Sequence, residues 1–139
     1  MNFTLDRRLA ADSFVLGDFA LCRVLLMKDS RFPWLILVPR RAGLSELHDL
    51  APHERAQLME ECVLAGERLK ALTQAAKINI GALGNLVAQL HVHVVARSVG
   101  DAAWPGPVWG AGKAEFYAPE AAAARMKALR VALGLAEEP

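Results

Sequence analysis

Residues 89–97 read Gln-Leu-His-Val-His-Val-Val-Ala-Arg, and polar and apolar side chains alternate strictly from Gln89 to Val94. A period of two is the signature of a β-strand, whose successive side chains point to opposite faces. The pattern predicts a strand over Gln89–Arg97 with Gln89, His91, His93 and Arg97 on one face. Leu90, Val92 and Val94 occupy the other face and point into the core. Neighbours along such a row stand roughly 6–7 Å apart. One strand therefore presents an amide, two imidazoles and a guanidinium, and its apolar face demands a cover.

The remaining periodicities supply that cover. Leu58, Cys62, Ala65, Leu69 and Leu72 recur at alternating spacings of four and three, which places them on one stripe of a helix over Pro52–Thr73. Such a stripe packs on a sheet or on a partner helix. Pro52 suits the first helical position, where its missing N–H costs nothing, but Ala51 before it is a poor cap. Three strands are predicted ahead of this helix, over Ser13–Gly17, Phe19–Met27 and Phe32–Val38, with Pro33 tolerated only near a strand start or at an edge. A further strand is predicted over Lys77–Ala82, followed by a Gly84-Asn85 turn. Ser98–Gly112 is a long loop carrying Trp104 and Trp109. Pro119–Leu133 is a final helix with an apolar stripe at Met126, Leu129 and Leu133 and Gly134 as its stop. Strands, helix, strands, helix is the order of an α+β fold with an antiparallel sheet. We expect a single domain over residues 1–139, its core at about 14–101 and a loop plus C-terminal helix over 102–139.

Composition narrows the function. Sixteen Lys and Arg against 15 Asp and Glu give a net charge of +1. This balance argues against nucleic-acid binding by bulk electrostatics, but not against a local anion site. Cys22 and Cys62 lie far apart with no C-x-x-C, which fits a reducing compartment rather than a disulfide scaffold. The start, MNFTLDRRLAADS, lacks the apolar core of a signal peptide, and no apolar run approaches the ~20 residues of a membrane span. A cytoplasmic protein without membrane association is the expectation.

The polar row on residues 89–97 admits three readings. A neutral imidazole attacks well near neutral pH, a second can hydrogen-bond a phosphate oxygen or protonate a leaving oxygen, and Arg matches phosphate geometry with a forked donor. That combination suits substitution at phosphorus. Two His at i and i+2 are also a common metal pair, although a zinc site wants further ligands and neither His48 nor His53 shows ligand spacing. The third reading is a half-buried polar face with no chemistry. His48 and His53 themselves read as surface or helix-start residues.

The segment QLHVHVVAR resembles the signature strand of the histidine triad family, and the likeness runs from roughly Phe14 to Asp101. LILVPRR (Leu35–Arg41) is similar to the family's strand ending in a Pro-basic pair. ELHDL (Glu46–Leu50) and the following helix are similar to its first helix. Asn79, Gly84 and the triad strand follow the family's order, and Arg97, Gly100 and Asp101 resemble the branch that cleaves dinucleoside polyphosphates. The resemblance implies a nucleotide hydrolase or transferase acting at the α-phosphorus, without a cofactor or metal. His91 would form a nucleotidyl-histidine intermediate, and His93 would bind a phosphate oxygen or assist the leaving group. Asn79 would lie near the phosphate or leaving group, and Gly84, Asn85, Arg97 and Trp104 are further candidates for touching substrate. The base and ribose would sit in an apolar cleft between the early strands and the first helix. A homodimer is implied, with the Leu58–Leu72 stripe as a candidate interface.

Three departures from the family pattern bear on the chemistry. Gln89 stands at the first triad position, where it keeps hydrogen-bonding capacity but cannot titrate. In the family a backbone carbonyl helps orient the nucleophile, and Gln carries one too, so His91 is expected to survive as nucleophile with altered rate or preference. Ala42 stands where many members carry His. Asn85, Leu86 and Val87 follow Gly84 where many carry Gln and then a hydroxyl residue. A nucleotide-binding module with little catalysis is the alternative these losses raise, and a metal protein built on His91 and His93 is the more distant one. The loop WPGPVW would either stack on a nucleotide or pack against the last helix or a partner.

Overall fold

Residues 34–39, Trp-Leu-Ile-Leu-Val-Pro, are apolar throughout, so a strand built from them needs cover on both faces. In the computed structural model, which describes residues 2–136, this segment is the middle of a five-stranded antiparallel sheet. The elements are α1 (Arg7–Ala11), β1 (Ser13–Asp18), β2 (Cys22–Met27), β3 (Trp34–Pro39), a 3-10 turn (Leu47–Asp49), α2 (Pro52–Thr73), β4 (Lys77–Gly81), β5 (Val92–Arg97) and α3 (Pro119–Leu133). The sheet order is β1-β2-β3-β5-β4. Every residue of β3 and of β5 is buried.

The two faces carry separate cores. On one, Leu35, Leu37, Val92 and Val94 pack with Leu58, Cys62, Ala65 and Leu69 of α2 and with Leu129 and Leu133 of α3. Each such Leu contributes roughly 1.5–3 kcal/mol by leaving water. On the other face, Trp34, Ile36, Val38 and Val95 pack with Leu9 of α1, Phe32 and Val108, and Trp109 leans on the edge of this cluster. A helix pair thus covers one face, while the N-terminal segment and the loop after β5 cover the other. The Leu58–Leu69 part of the α2 stripe is spent on the first core, so it is not free to form a dimer interface. Only Leu72, at its end, is exposed.

Several boundaries move for local reasons. The second strand begins at Cys22, not Phe19, because the Phe19 N–H bonds the Cys22 carbonyl at 2.8 Å and closes a turn. Glu61, buried on α2, accepts the N–H groups of Leu21 and Cys22 at 2.9 and 2.8 Å and pins that turn. Pro33 lies just before β3, where it need not donate to the ladder. β4 ends at Gly81 rather than Ala82. The triad strand begins at Val92 rather than Gln89, since the Leu90 N–H bonds the Leu44 carbonyl instead of a neighbouring strand. The short α1 has no counterpart in the expected elements. Pro52 and Pro119 do open their helices, Ala51 provides no side-chain cap, and Gly134 caps α3 in the left-handed region at φ 69°.

Cys22 and Cys62 are free thiols in the first core. Burial pushes both upward, Cys62 to about 11, so neither is a ready nucleophile near neutral pH. Among the described residues no helix is long and apolar enough to cross a membrane.

Candidate active site

The second face of the sheet carries the polar row. Register places His93 opposite Ile36 on β3 and opposite Gly81 on β4, with Trp34 diagonal to it beside Val95. His91 and His93 point the same way, and their ring centroids are 5.0 Å apart. Both rings border a cleft of about 430 Å³, whose walls include Leu9, Met27, Trp34, Ile36, Val87, Val108 and Trp109. The cleft is mostly apolar with a few convergent polar groups, the usual character of a small-molecule site. No residue of α2 lines it. The expected position between the early strands and the first long helix is therefore corrected: α2 lies on the opposite face, and α1 with the loops after β4 and β5 completes the walls.

Hydrogen bonds fix the two imidazoles in opposite tautomers. His91 Nδ1 lies 2.6 Å from the Gln89 carbonyl oxygen. A carbonyl only accepts, so His91 Nδ1 carries a hydrogen and donates, and in the neutral ring Nε2 holds a lone pair. Trp34 Nε1–H donates to His93 Nδ1 at 2.9 Å. An indole N–H only donates, so His93 Nδ1 accepts, and its Nε2 carries the hydrogen. Nδ1 is taken in each ring, and chemistry falls to one nucleophilic Nε2 and one donor Nε2–H.

His93 is also held neutral. Burial, and then the neighbouring His91, lower its pKa from 6.5 to about 4. The rings of Trp34 and Trp109 meet it edge-on at 5.6 and 5.5 Å between centroids. Gly81 makes room for the second of these, since a Cβ there would stand 3.0 Å from Trp109 Cη2.

The other predicted residues divide. Gly84 and Asn85 line the cleft, with Leu86 and Val87 beside them. Arg97 does not line it. Its guanidinium donates to both carboxylate oxygens of Asp101 at 2.9 Å and to Asn79 Oδ1 at 2.9 Å, which occupies its fork and Asn79 together. Those bonds from Arg97 hold Asp101 well below the usual carboxylate range. Trp104 stacks over the same guanidinium, 5.8 Å from it, and the tryptophan of the loop that reaches the cleft is Trp109. Gln89 spends its side chain on the N-terminal segment, accepting from the Asp6 N–H and donating to the Thr4 carbonyl, each at 2.9 Å.

A smaller cavity of about 240 Å³ adjoins His91 from the other side and is bordered by Ser45, Glu46, His48, Gly84 and Gln89. His48 is exposed in the 3-10 turn and borders this second cavity, and His53 is exposed in the first turn of α2, so both are surface residues near a helix start as expected. Among the described residues no group of three or more His, Cys, Asp or Glu side chains is assembled for a metal ion.

Sequence reasoning missed Trp34, Gly81, Asp29 and Arg31, and in the WPGPVW loop it singled out Trp104 where Trp109 is the one that reaches the cleft. The buried Asp29 carboxylate pairs with Arg31 at 2.8 Å on the cleft border. Burial pushes its carboxyl up, but the hydrogen bonds from Arg31 and from the Glu115 N–H, with the Arg31 charge, together leave it below its ordinary value. A Lys-Asp-Ser-Arg run between two apolar strands reads as a turn and gives no sign of this pairing.

The HIT domain family model matches residues 8–100. Solved structures agree along nearly the whole chain. A histidine triad protein of Sinorhizobium meliloti 1021 is 51% identical with a TM-score of 0.91, covering 93% of this chain and 96% of that one. One from Bradyrhizobium japonicum is 44% identical with a TM-score of 0.93, covering 96% and 99%. One from Marinobacter aquaeolei VT8 is 43% identical with a TM-score of 0.94, covering 98% and 100%. No functionally curated protein matches the chain.

Proposed function

The chain belongs to the histidine triad family, and from that premise we propose that it is a nucleotide hydrolase or nucleotidyl transferase working at the α-phosphorus of a nucleoside phosphate derivative. Members of the family are generally nucleotide-binding proteins, hydrolases or transferases. The observation that carries the proposal is the pair of opposed tautomers on the wall of one apolar cleft.

In this reading the nucleobase and ribose lie in the cleft. His91 Nε2 attacks phosphorus with its lone pair, a P–N bond forms, and the bond from phosphorus to the leaving group breaks. Water, or another acceptor, then attacks phosphorus and releases the nucleotide, returning the electron pair to Nε2. His93 Nε2–H donates to a non-bridging phosphate oxygen. A ring with a pKa of about 4 stays a neutral donor throughout the physiological range, and in a water-poor site such a fixed donor stabilises developing charge effectively. Gln89, which we place at the first triad position, takes no part at phosphorus. Gly84 and Asn85 border the phosphate region. Asn79 accepts from Arg97 and Arg97 pairs with Asp101, so both brace the end of the strand rather than touch substrate. A homodimer, expected of the family, would need a surface other than the buried α2 stripe, and sedimentation at micromolar concentration tests it.

Incubation with an amine-linked adenylate followed by intact-mass measurement should reveal a nucleotidyl adduct. Adduct and turnover should both vanish in His91→Ala. Undiminished turnover in that variant rejects the mechanism, and tight nucleotide binding without adduct or turnover in the wild type selects the binding-module reading instead.

A further inference from the structure

The carbonyl that orients His91 belongs to Gln89, and the side chain of the same residue grips a different part of the molecule. Its Oε1 accepts the Asp6 N–H, and its Nε2 donates to the Thr4 carbonyl, both at 2.9 Å. A carboxamide paired in this way with two alternate backbone groups imitates one rung of a β-ladder. The arm it holds is not loose. Phe3 and Leu5 pack against the second core, the Asp6 carboxylate accepts from the Arg8 N–H to start α1, and Leu9 of α1 is a buried wall of the cleft. One residue therefore joins the cleft wall to the group that sets the nucleophile's tautomer.

We infer that Gln89 is a positioning residue, whose carboxamide clamps the amino-terminal arm and thereby holds the carbonyl that aims His91 Nε2 into the cleft. This rests on the functional reading above only in the word nucleophile; the clamp itself is geometry. Histidine could not replace the amide directly, because a ring presents its donor and acceptor on opposite sides rather than in one planar fork.

The link can be cut from both ends. Gln89→Ala removes the carboxamide. Asp6→Pro removes the Asp6 N–H at a backbone φ of −53°, which proline adopts without strain. Asp6→Ala loses only the cap on Arg8 and serves as the comparison. Gln89→Glu keeps the acceptor for Asp6 but offers no hydrogen to Thr4. Two readouts are taken on the full chain: the tautomer of His91 from the nitrogen shifts of ¹⁵N-histidine, which needs no substrate, and kcat and KM on an amine-linked adenylate.

Gln89→Ala and Asp6→Pro should each convert His91 from an Nδ1–H ring to a mixture of tautomers. Each should lower kcat about tenfold or more, with KM moving less than about threefold, as a slightly misaimed group does. Asp6→Pro should fall further than Asp6→Ala, Gln89→Glu should be intermediate, and the double variant should be no worse than the weaker single, since both cut one link. An unmoved His91 tautomer in Gln89→Ala, or losses that add in the double variant, overturns the clamp. The two failures separate cleanly. A wild type that forms no adduct, while the nitrogen shifts move as stated, removes the functional reading and leaves the clamp standing.

Discussion

Replacing Trp34 by Phe should raise the pKa of His93 and weaken the protein, and both effects can be sized from one contact. Trp34 and His93 are each less than a tenth exposed, and the indole N–H donates to Nδ1 at 2.9 Å. Protonating that nitrogen would expel the indole donor, so the bond favours the neutral ring. A buried hydrogen bond has a net worth of about 1 kcal/mol, and one pKa unit corresponds to about 1.4 kcal/mol. In Trp34→Phe the His93 midpoint should therefore climb from about 4 by roughly one unit, or by more where water enters the vacated space. Stability should fall by about 2–4 kcal/mol, the sum of an unpaired buried acceptor and a cavity the size of one lost ring.

The pH dependence gives the sharper check. His93 has a folded pKa below its unfolded value of 6.5, so the unfolded chain binds the proton more readily. Stability from this group is full above about pH 6.5 and is lost progressively as pH falls toward 4. In Trp34→Phe the loss should level off at a higher pH, because the folded ring then accepts the proton sooner. Histidine NMR titration gives the midpoint, and thermal melts at several values between pH 4 and 7 give the slope. The variant should also lose turnover, since an unanchored neutral ring can carry its hydrogen on Nδ1 and present a lone pair to the phosphate. A midpoint in Trp34→Phe equal to or below that of the wild type would refute the claim that the indole adds to burial and His91 in keeping His93 neutral.

Two other perturbations test the frame of the site. Asp101→Ala would leave the guanidinium of Arg97, which is 2% exposed, without its partner, and should cost about 3–5 kcal/mol in a denaturant melt; wild-type stability from this carboxylate should be lost only as pH drops below the ordinary carboxylate range. Gly81→Ala would press a methyl group to 3.0 Å from the Trp109 ring, displacing the wall beside His93, and should weaken nucleotide binding in calorimetry about tenfold while shifting Tm by only a few degrees.

Legibility followed the range of the forces involved. The strand around His93, read from the alternation over Gln89–Val94, and the stripe on α2 were legible because each repeats one demand, burial of one face, over several residues. The same pattern misled at Gln89–His91, where no strand forms. There the side-chain amide and the imidazole of His91 engage backbone groups outside the ladder, and alternation is blind to such competition. The helix α1, Arg-Arg-Leu-Ala-Ala, is too short to show a period, and its start rests on the Asp6 cap. Trp34 reads as one more apolar residue of β3. Its role needs the register that sets it diagonal to His93, and register is a long-range property. Gly81, and the choice of Trp109 over Trp104, were hidden for the same reason, since the space left at Gly81 is filled by a ring from the loop that follows β5.

On the proposed reading, register also explains how the site would hold an anion although no described side chain on the cleft border is a free cation. Arg97, on the face of His93, is turned to Asp101 and Asn79, and Arg31, on the cleft border, is turned to Asp29. Asp12 stands on the same border, so the charged side chains there bring no positive excess. Fixed N–H donors in a cleft of low dielectric stabilise charge as it builds on phosphate oxygens, so the proposed chemistry does not depend on a guanidinium at phosphorus. On the proposed reading, then, the arginines serve the sheet and the loop, and the work at phosphorus falls to two neutral rings whose tautomers are set by a carbonyl and an indole.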